Sequence, residues 1–364
     1  MPSEKMLMPG SHVVGEAAVR AGCRYYFGYP ITPQNELPEY LSSRLVQLGG
    51  VFIQAESEVA SINMVLGASV AGGRAMTSSS SPGIALKQEG ISYMAGQELP
   101  AVIVNMMRGG PGLGNIAPSA ADYFQATRGG GHGDYRTPVL APAGCQELAE
   151  LTFVAFDLAD AYRTPVMLLG DGLMGQVMEP VVFPDFIDLK DLPKKDWILD
   201  GCKGREARAI FSMLLGQKGE LYYHNVHLQE KYDQITAKEQ RWETKDTEDA
   251  DIIVVAYGTA ARIAESAIEE LREEGMAAGL FRPITLWPYP KATLRDLARG
   301  GRKVAVFELS SGQMVEDVVL SVGERAEIFF YGIPGGLIPT PAEVADFLRS
   351  VAKGDEKVGR RIEV

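Results

Sequence analysis

Two stretches hold residue types that could do chemistry together: Gly28-Tyr-Pro-Ile-Thr-Pro-Gln34, directly after Tyr25-Tyr-Phe27, and Ala55-Glu-Ser-Glu-Val59, directly after Val51–Gln54. In the first, two prolines and a glycine stiffen a loop, because proline fixes its own φ and restricts the residue before it. A stiff loop can place the Thr32 hydroxyl accurately, with Tyr29 and Pro30 beside it. The same residues also describe a plain strand-to-helix turn, with Thr32 as N-cap and Pro33 opening the helix. In the second stretch, Glu56 and Glu58 open a helix. Acids there complement the helix dipole, or they set a glutamate at a cleft edge, where it shares a proton with a ligand nitrogen.

Arg108 ends an apolar run and enters Gly109-Gly-Pro-Gly-Leu-Gly114. An arginine at a strand end, beside glycines that let a ligand approach the backbone, suits a carboxylate or phosphate. A surface loop with a solvated arginine reads the same way. The glycines do not fit the dinucleotide fingerprint, and there is no Walker sequence. In Thr77-Ser-Ser-Ser-Ser-Pro-Gly83, hydroxyls and free N–H groups stand at a helix start, either as anion ligands or as plain caps. Ser80 and Ser81 are the candidates there. His132 and Asp134, in the glycine-dense Gly129–Tyr135 stretch, are candidate polar site residues. Gly170-Asp-Gly172 resembles the start of a thiamine diphosphate magnesium signature. The asparagine that must follow is missing, because none stands between Leu173 and His224. The chain is therefore expected to hold no metal of its own.

These loops need a frame that brings strand ends together. Strands are expected at Arg24–Phe27, Val51–Gln54, Arg74–Ser78, Ala101–Met107, Thr137–Ala141 and Pro165–Leu169. Helices are expected near 11–21, 34–46, 57–71, 84–96 and 145–161. Alternation of buried-type strands with helices implies an α/β, doubly wound parallel sheet, which binds ligands at its carboxyl strand ends. After a polar connector the pattern restarts, with strands at Ile252–Tyr257, Ala277–Arg282, Lys303–Glu308 and Glu327–Tyr331. A helix from Gly258, and others over Leu309–Val322 and Pro341–Val351, complete it. The expected division is residues 1–180, 181–247 as connector, and 248–364.

The 364 residues are 46% hydrophobic and 23% charged, with net charge −12. An acidic surface disfavours nucleic acid and anionic membrane as partners. No apolar run approaches a membrane span, and the N-terminus lacks a signal-peptide core, so a cytoplasmic protein is expected. Cys23, Cys145 and Cys202 are too scattered for an iron–sulfur cluster.

Taken jointly, Gly28–Pro33, Gln54–Val59, Thr77–Ile84, Glu98–Val102, Arg108–Gly112 and Gly131-His-Gly-Asp134 resemble the α subunit of the 2-oxoacid:ferredoxin oxidoreductases. Gly131–Arg136 and Tyr93–Glu98 are most similar to the branched-chain (2-oxoisovalerate) type, with the 2-oxoglutarate type next. The resemblance implies a thiamine diphosphate pyrimidine-binding domain followed by a transketolase C-terminal-like domain. It implies a β subunit that shares the cofactor and carries Mg²⁺ and an iron–sulfur cluster. Small γ and δ subunits, coenzyme A as co-substrate and ferredoxin as acceptor follow from it too. Glu58 matches the cofactor-activating glutamate, Arg108 the arginine that pairs with the 2-oxoacid carboxylate, and Thr32 the threonine beside both. By the same resemblance Tyr29, Pro30 and Ser80 would touch the cofactor, and Ser81 and His132 would line the substrate cavity. A self-sufficient transketolase-like enzyme and a non-catalytic docking subunit are the rival readings.

Overall fold

The computed structural model describes residues 5–202, 204–210, 218–355 and 360–362. β1 (Met6–Pro9) and α1 (Gly10–Arg20) come first. Strands and helices then alternate through β2 (Tyr25–Gly28), α2 (Glu36–Gln47), β3 (Val51–Gln54), α3 (Glu58–Val70), β4 (Ala75–Ser79), α4 (Ser81–Gly96) and β5 (Ala101–Met107). α5 (Tyr123–Thr127), β6 (Val139–Leu140), α6 (Cys145–Tyr162), β7 (Pro165–Asp171), α7 (Gly172–Gln176) and β8 (Met178–Val181) follow. All seven residues of β5 are buried, as in a central parallel strand covered on both faces. The sheet order is β6-β7-β5-β4-β2-β3, parallel throughout. The β1–β8 antiparallel pair forms a separate small ribbon.

The expected connector is more ordered than its composition implies. It contains α8 (Glu220–Lys238), which buries Leu228, Tyr232 and Ile235, and β9 (Trp242–Lys245). Next come β10 (Ile252–Val255), α9 (Gly258–Glu273), β11 (Ala278–Pro283), β12 (Thr285–Trp287) and α10 (Lys291–Leu297). β13 (Lys303–Glu308), α11 (Met314–Val322), β14 (Ile328–Gly332), α12 (Pro341–Lys353) and β15 (Arg360–Ile362) complete the chain order. The second sheet runs β15-β14-β13-β10-β11-β9, with a parallel centre and antiparallel edges at β9 and β15. β12 leaves this half and pairs antiparallel with β6, so the first sheet has seven strands.

One apolar cluster, built on α1, α2 and α6, covers one face of the first sheet. The other face, under α3 and α4, is continuous with the core of the second half. Tyr123 donates to Asp317 Oδ2 (2.7 Å), Gln313 Nε2 to Ala121 O (2.7 Å), and Arg282 to both oxygens of Glu147 (2.9 and 2.6 Å). The two halves therefore meet through paired polar groups as well as apolar packing. Among the described residues no helix is long and apolar enough to cross a membrane.

Candidate active site

The strand ends bring three of the loops together. The loop after β2 does not start a helix at Pro33, because α2 begins only at Glu36. Thr32 is not the cap. Its hydroxyl accepts from Asn35 Nδ2 at 3.2 Å and is exposed. The loop is pinned from below by Gln34, which is fully buried. Tyr26, Ser78 and Gln34 form a hydrogen-bonded chain from β2 through β4, and Gln34 Nε2 donates to Tyr29 O at 3.3 Å. Tyr29 and Pro30 are exposed, and Pro30 stands at the mouth of a cavity of about 210 Å³ lined also by Gly28, Phe52 and Gln54, at the ends of β2 and β3.

Glu58, and not Glu56, opens α3. Ser57 is the N-cap and accepts from Ala60 N at 3.1 Å. Glu56 lies before the helix and is exposed, whereas Glu58 is only 6% exposed. The Glu58 carboxylate lies against the start of α4. A Cβ at Gly83 would stand 2.7 Å from Glu58 Oε1 and 2.1 Å from Ser79 Oγ. Glycine is therefore what lets the carboxylate and the β4 hydroxyl close over that turn.

Arg108 reaches across from the end of β5. Its Nη1 donates to Thr32 O (2.9 Å) and its Nη2 to Leu113 O (2.8 Å), so it joins the β2 loop to the glycine-rich loop. That second loop closes on itself where Asn115 N donates to Gly109 O at 3.0 Å. Gly114, at φ +61, makes this closure, and a Cβ there would lie 1.6 Å from Gly109 O. Ser81 ties the start of α4 to the same strand end. It accepts from Arg108 N (3.0 Å) and donates to Asp122 Oδ2 (2.7 Å), which also accepts from Asn105 Nδ2 (2.8 Å). Burial pushes the Asp122 carboxyl above the usual aspartate range, against the hydrogen bonds from Ser81 and Asn105.

Three buried polar atoms of this region have no hydrogen-bond partner: Ser79 Oγ, Ser80 Oγ and Arg108 Nε. Buried polar groups are normally paired. Together with the Glu58 carboxylate they fit a planar, nitrogen-rich ring such as an aminopyrimidine. The diphosphate–metal half finds no such fit. Asp171 is spent as the N-cap of α7, accepting from Met174 N at 2.9 Å. Among the described residues no cluster of His, Cys, Asp or Glu could hold a metal ion. Burial raises the thiols of Cys23 to about 12 and of Cys145 to about 11, as expected of buried fillers rather than nucleophiles.

His132 is not brought to this place. It lines a separate cavity with Ser92, Tyr93 and Gly96 of α4 and His224 of α8. Eleven residues of helix separate Ser92 from Ser81, roughly 16 Å at the helical rise. Arg128 and Arg136 are also spent elsewhere: Arg128 pairs with Asp317, and Arg136 donates to the carbonyls of Arg128 and Tyr135. Sequence reasoning missed Asn105 and the Asp122 carboxylate that Asn105 and Ser81 share. Asn105 alone carried a signal, as one polar residue inside an apolar strand.

The chain matches the family model described as pyruvate flavodoxin/ferredoxin oxidoreductase, thiamine diphosphate-binding, over residues 16–247. It matches pyruvate:ferredoxin oxidoreductase core domain II over residues 250–344. It is 47% identical to ketoisovalerate oxidoreductase subunit VorB of Methanothermobacter thermautotrophicus, covering 95% of this chain and 97% of that one. To 2-oxoglutarate synthase subunit KorA of the same organism it is 32% identical, covering 95% and 98%. The solved 2-oxoglutarate:ferredoxin oxidoreductase from Magnetococcus marinus, with 2-oxoglutarate, coenzyme A and succinyl-CoA bound, superposes with TM-score 0.85 at 27% identity. That match covers 96% of this chain, which spans 65% of the solved one. A split-gene transketolase shares the fold, with TM-score 0.58 at 13% identity.

Proposed function

This chain belongs to the pyruvate flavodoxin/ferredoxin oxidoreductase family, and from that premise we propose that it is the pyrimidine-binding subunit of a thiamine diphosphate-dependent 2-oxoacid:ferredoxin oxidoreductase acting on 2-oxoisovalerate. The reaction is oxidative decarboxylation: the 2-oxoacid and coenzyme A give acyl-CoA and CO₂, and two electrons leave singly to ferredoxin. The observation that supports this reading is the start of α4, where Ser81 accepts from Arg108 and Gly83 lies against Glu58 and Ser79, beside buried polar atoms that have no partner. Thiamine diphosphate, when bound, supplies the carbanion chemistry that a 2-keto carbon requires.

The chain's own residues supply binding and proton placement. Glu58 would offer its carboxylate to the pyrimidine ring nitrogen, in a dry setting at a helix start. Ser79 and Ser80 offer hydroxyls to the ring's polar edge. Arg108 neutralises the substrate carboxylate with N–H groups beyond the two that hold the loops, and those loop contacts fix its orientation. Thr32 brings its hydroxyl to the same mouth.

The β subunit supplies the diphosphate, Mg²⁺ and first-cluster side, and small γ and δ subunits pass electrons to ferredoxin. An open face supports a missing partner. On α3, Val59, Asn63 and Gly67 form one exposed stripe, and the edge strand β3 exposes Val51, Ile53 and Gln54. An apolar helix with a bare stripe beside a bare sheet edge calls for a cover. The branched-chain substrate is supported by the 47% identity to the VorB relative. It is supported too by Arg128 and Arg136, whose guanidinium groups are engaged by Asp317 and by the Arg128 carbonyl rather than offered to a dicarboxylate.

The test is anaerobic viologen reduction by this chain co-expressed with its partner subunits, given coenzyme A and a panel of 2-oxoacids. Preference for 2-oxoisovalerate is expected. Preference for 2-oxoglutarate would overturn the substrate, and full activity of this chain alone would overturn the shared site.

A further inference from the structure

Lys87 has no place in the account so far, and its surroundings are unusual. It sits in the middle of α4 with its side chain fully buried. Its ammonium donates to Thr77 Oγ1 on β4 (3.0 Å), to Ser61 Oγ on α3, and to the Glu58 carbonyl (3.4 Å). Ser61 Oγ in turn donates to that same carbonyl at 2.8 Å. All three acceptors are neutral. A buried ammonium with no carboxylate in hydrogen-bond contact is costly, and a core built for stability alone would pair it or replace it. The charged group that faces it is Glu58. Among the described residues its hydrogen-bond partners are the Ser61 and Thr77 hydroxyls and the Glu58 carbonyl.

We propose that Lys87 is a positioning residue for Glu58: it knots α3, α4 and β4 together beneath the turn that carries the carboxylate, and supplies a positive field beside that carboxylate. This rests on the reading that Glu58 engages the cofactor. Burial draws the lysine down to about 7, against the opposing pull of Glu58. The field is therefore present in acid and fades as pH rises above neutrality. A positive neighbour lowers the proton affinity of a carboxylate.

The test uses the co-expressed complex with Lys87→Met, which keeps length without charge, and Lys87→Gln, which keeps donors without charge. The acid limb of kcat/KM against pH should move to higher pH by about one unit in both variants, because both lose the field. A second readout does not depend on turnover. Wild-type melting temperature should climb between about pH 7 and pH 10 as the buried ammonium discharges, since the unfolded chain still binds that proton. Both variants should lack the climb. A Lys87→Gln complex with wild-type pH profiles would overturn the field role, because hydrogen bonding alone would then suffice. Glu58→Gln is the control. If it keeps full turnover, the functional reading itself fails. If it is inactive while the Lys87 variants keep the wild-type acid limb, only the role of Lys87 fails.

Discussion

Gly83→Ala isolates the closest contact of the proposed site. On propensity alone the change should help, because alanine inside a helix is favoured over glycine by about 0.5–1 kcal/mol. Gly83 lies in the first turn of α4, and its φ is not in the left-handed region. The local surroundings oppose the change. The new Cβ would stand 2.1 Å from Ser79 Oγ, 2.7 Å from Glu58 Oε1 and 3.2 Å from Glu58 Cγ. To restore ordinary contact, the hydroxyl must retreat by roughly 1.3 Å and the carboxylate oxygen by roughly 0.7 Å. Ser79 can rotate, since its hydroxyl has no partner. Glu58 is held at the helix start and has less freedom. Overpacking of this kind costs about 1–3 kcal/mol, so a net loss of about 0–2.5 kcal/mol is expected once propensity is counted. Turnover is another matter, because a displacement near 1 Å of a reacting group costs on the order of 100-fold. The assay pairs calorimetry with anaerobic viologen reduction on the reconstituted complex. A Gly83→Ala complex of wild-type stability and wild-type turnover would refute the placement of Glu58 argued here.

Arg108→Met should lower kcat/KM by on the order of 100-fold, through lost pairing with the carboxylate, and should destabilise the chain by about 1–3 kcal/mol, through the bared carbonyls of Thr32 and Leu113. Arg108→Lys should not restore activity, since a point ammonium cannot bridge two loops as a fork does. Gly67→Glu should leave the chain folded, because nothing lies within 4 Å of a Cβ there, yet it should block assembly on size-exclusion chromatography. Burial draws Glu16 upward, but hydrogen bonds from Arg44, Arg20 and Tyr40 outweigh it and hold the carboxyl below the usual 4.5. Its stabilisation is therefore present above that value and lost as pH falls through the lower folded pKa. Glu16→Gln should cost about 3 kcal/mol near neutrality, in a chemical-denaturation series where the gap to wild type closes in acid.

The sequence made the alternation legible where burial is strongest. Ala101–Met107 stands where its β-branched and apolar run predicts, because a buried parallel strand has little else it can be made of. Boundaries slipped where capping decides them. Thr32 reads as a cap next to proline, yet the chain spends three more residues, anchored by buried Gln34, before α2 starts. Non-local features were hidden. Nothing in Thr285–Trp287 says that it returns to pair with β6, nor do the two short runs at Met6–Pro9 and Met178–Val181 announce each other. In the proposed site, Glu58, Arg108 and Thr32 stood out in the sequence because their loops carry special glycines and prolines. Lys87 was invisible for the opposite reason, because a lysine in mid-helix reads as a solvated residue until the fold buries it. His132 lines a cavity with α4 and α8, and a glycine-dense loop signals close approach without saying to what.

The central claim is that this chain contributes Glu58 to a cofactor site which a partner completes. The most direct measurement compares wild type with Glu58→Gln in the anaerobically co-purified complex, scoring assembly, iron content and turnover of 2-oxoisovalerate together. Equal assembly and iron with turnover lower by at least about 100-fold is the expected result. Equal assembly with undiminished turnover would contradict it.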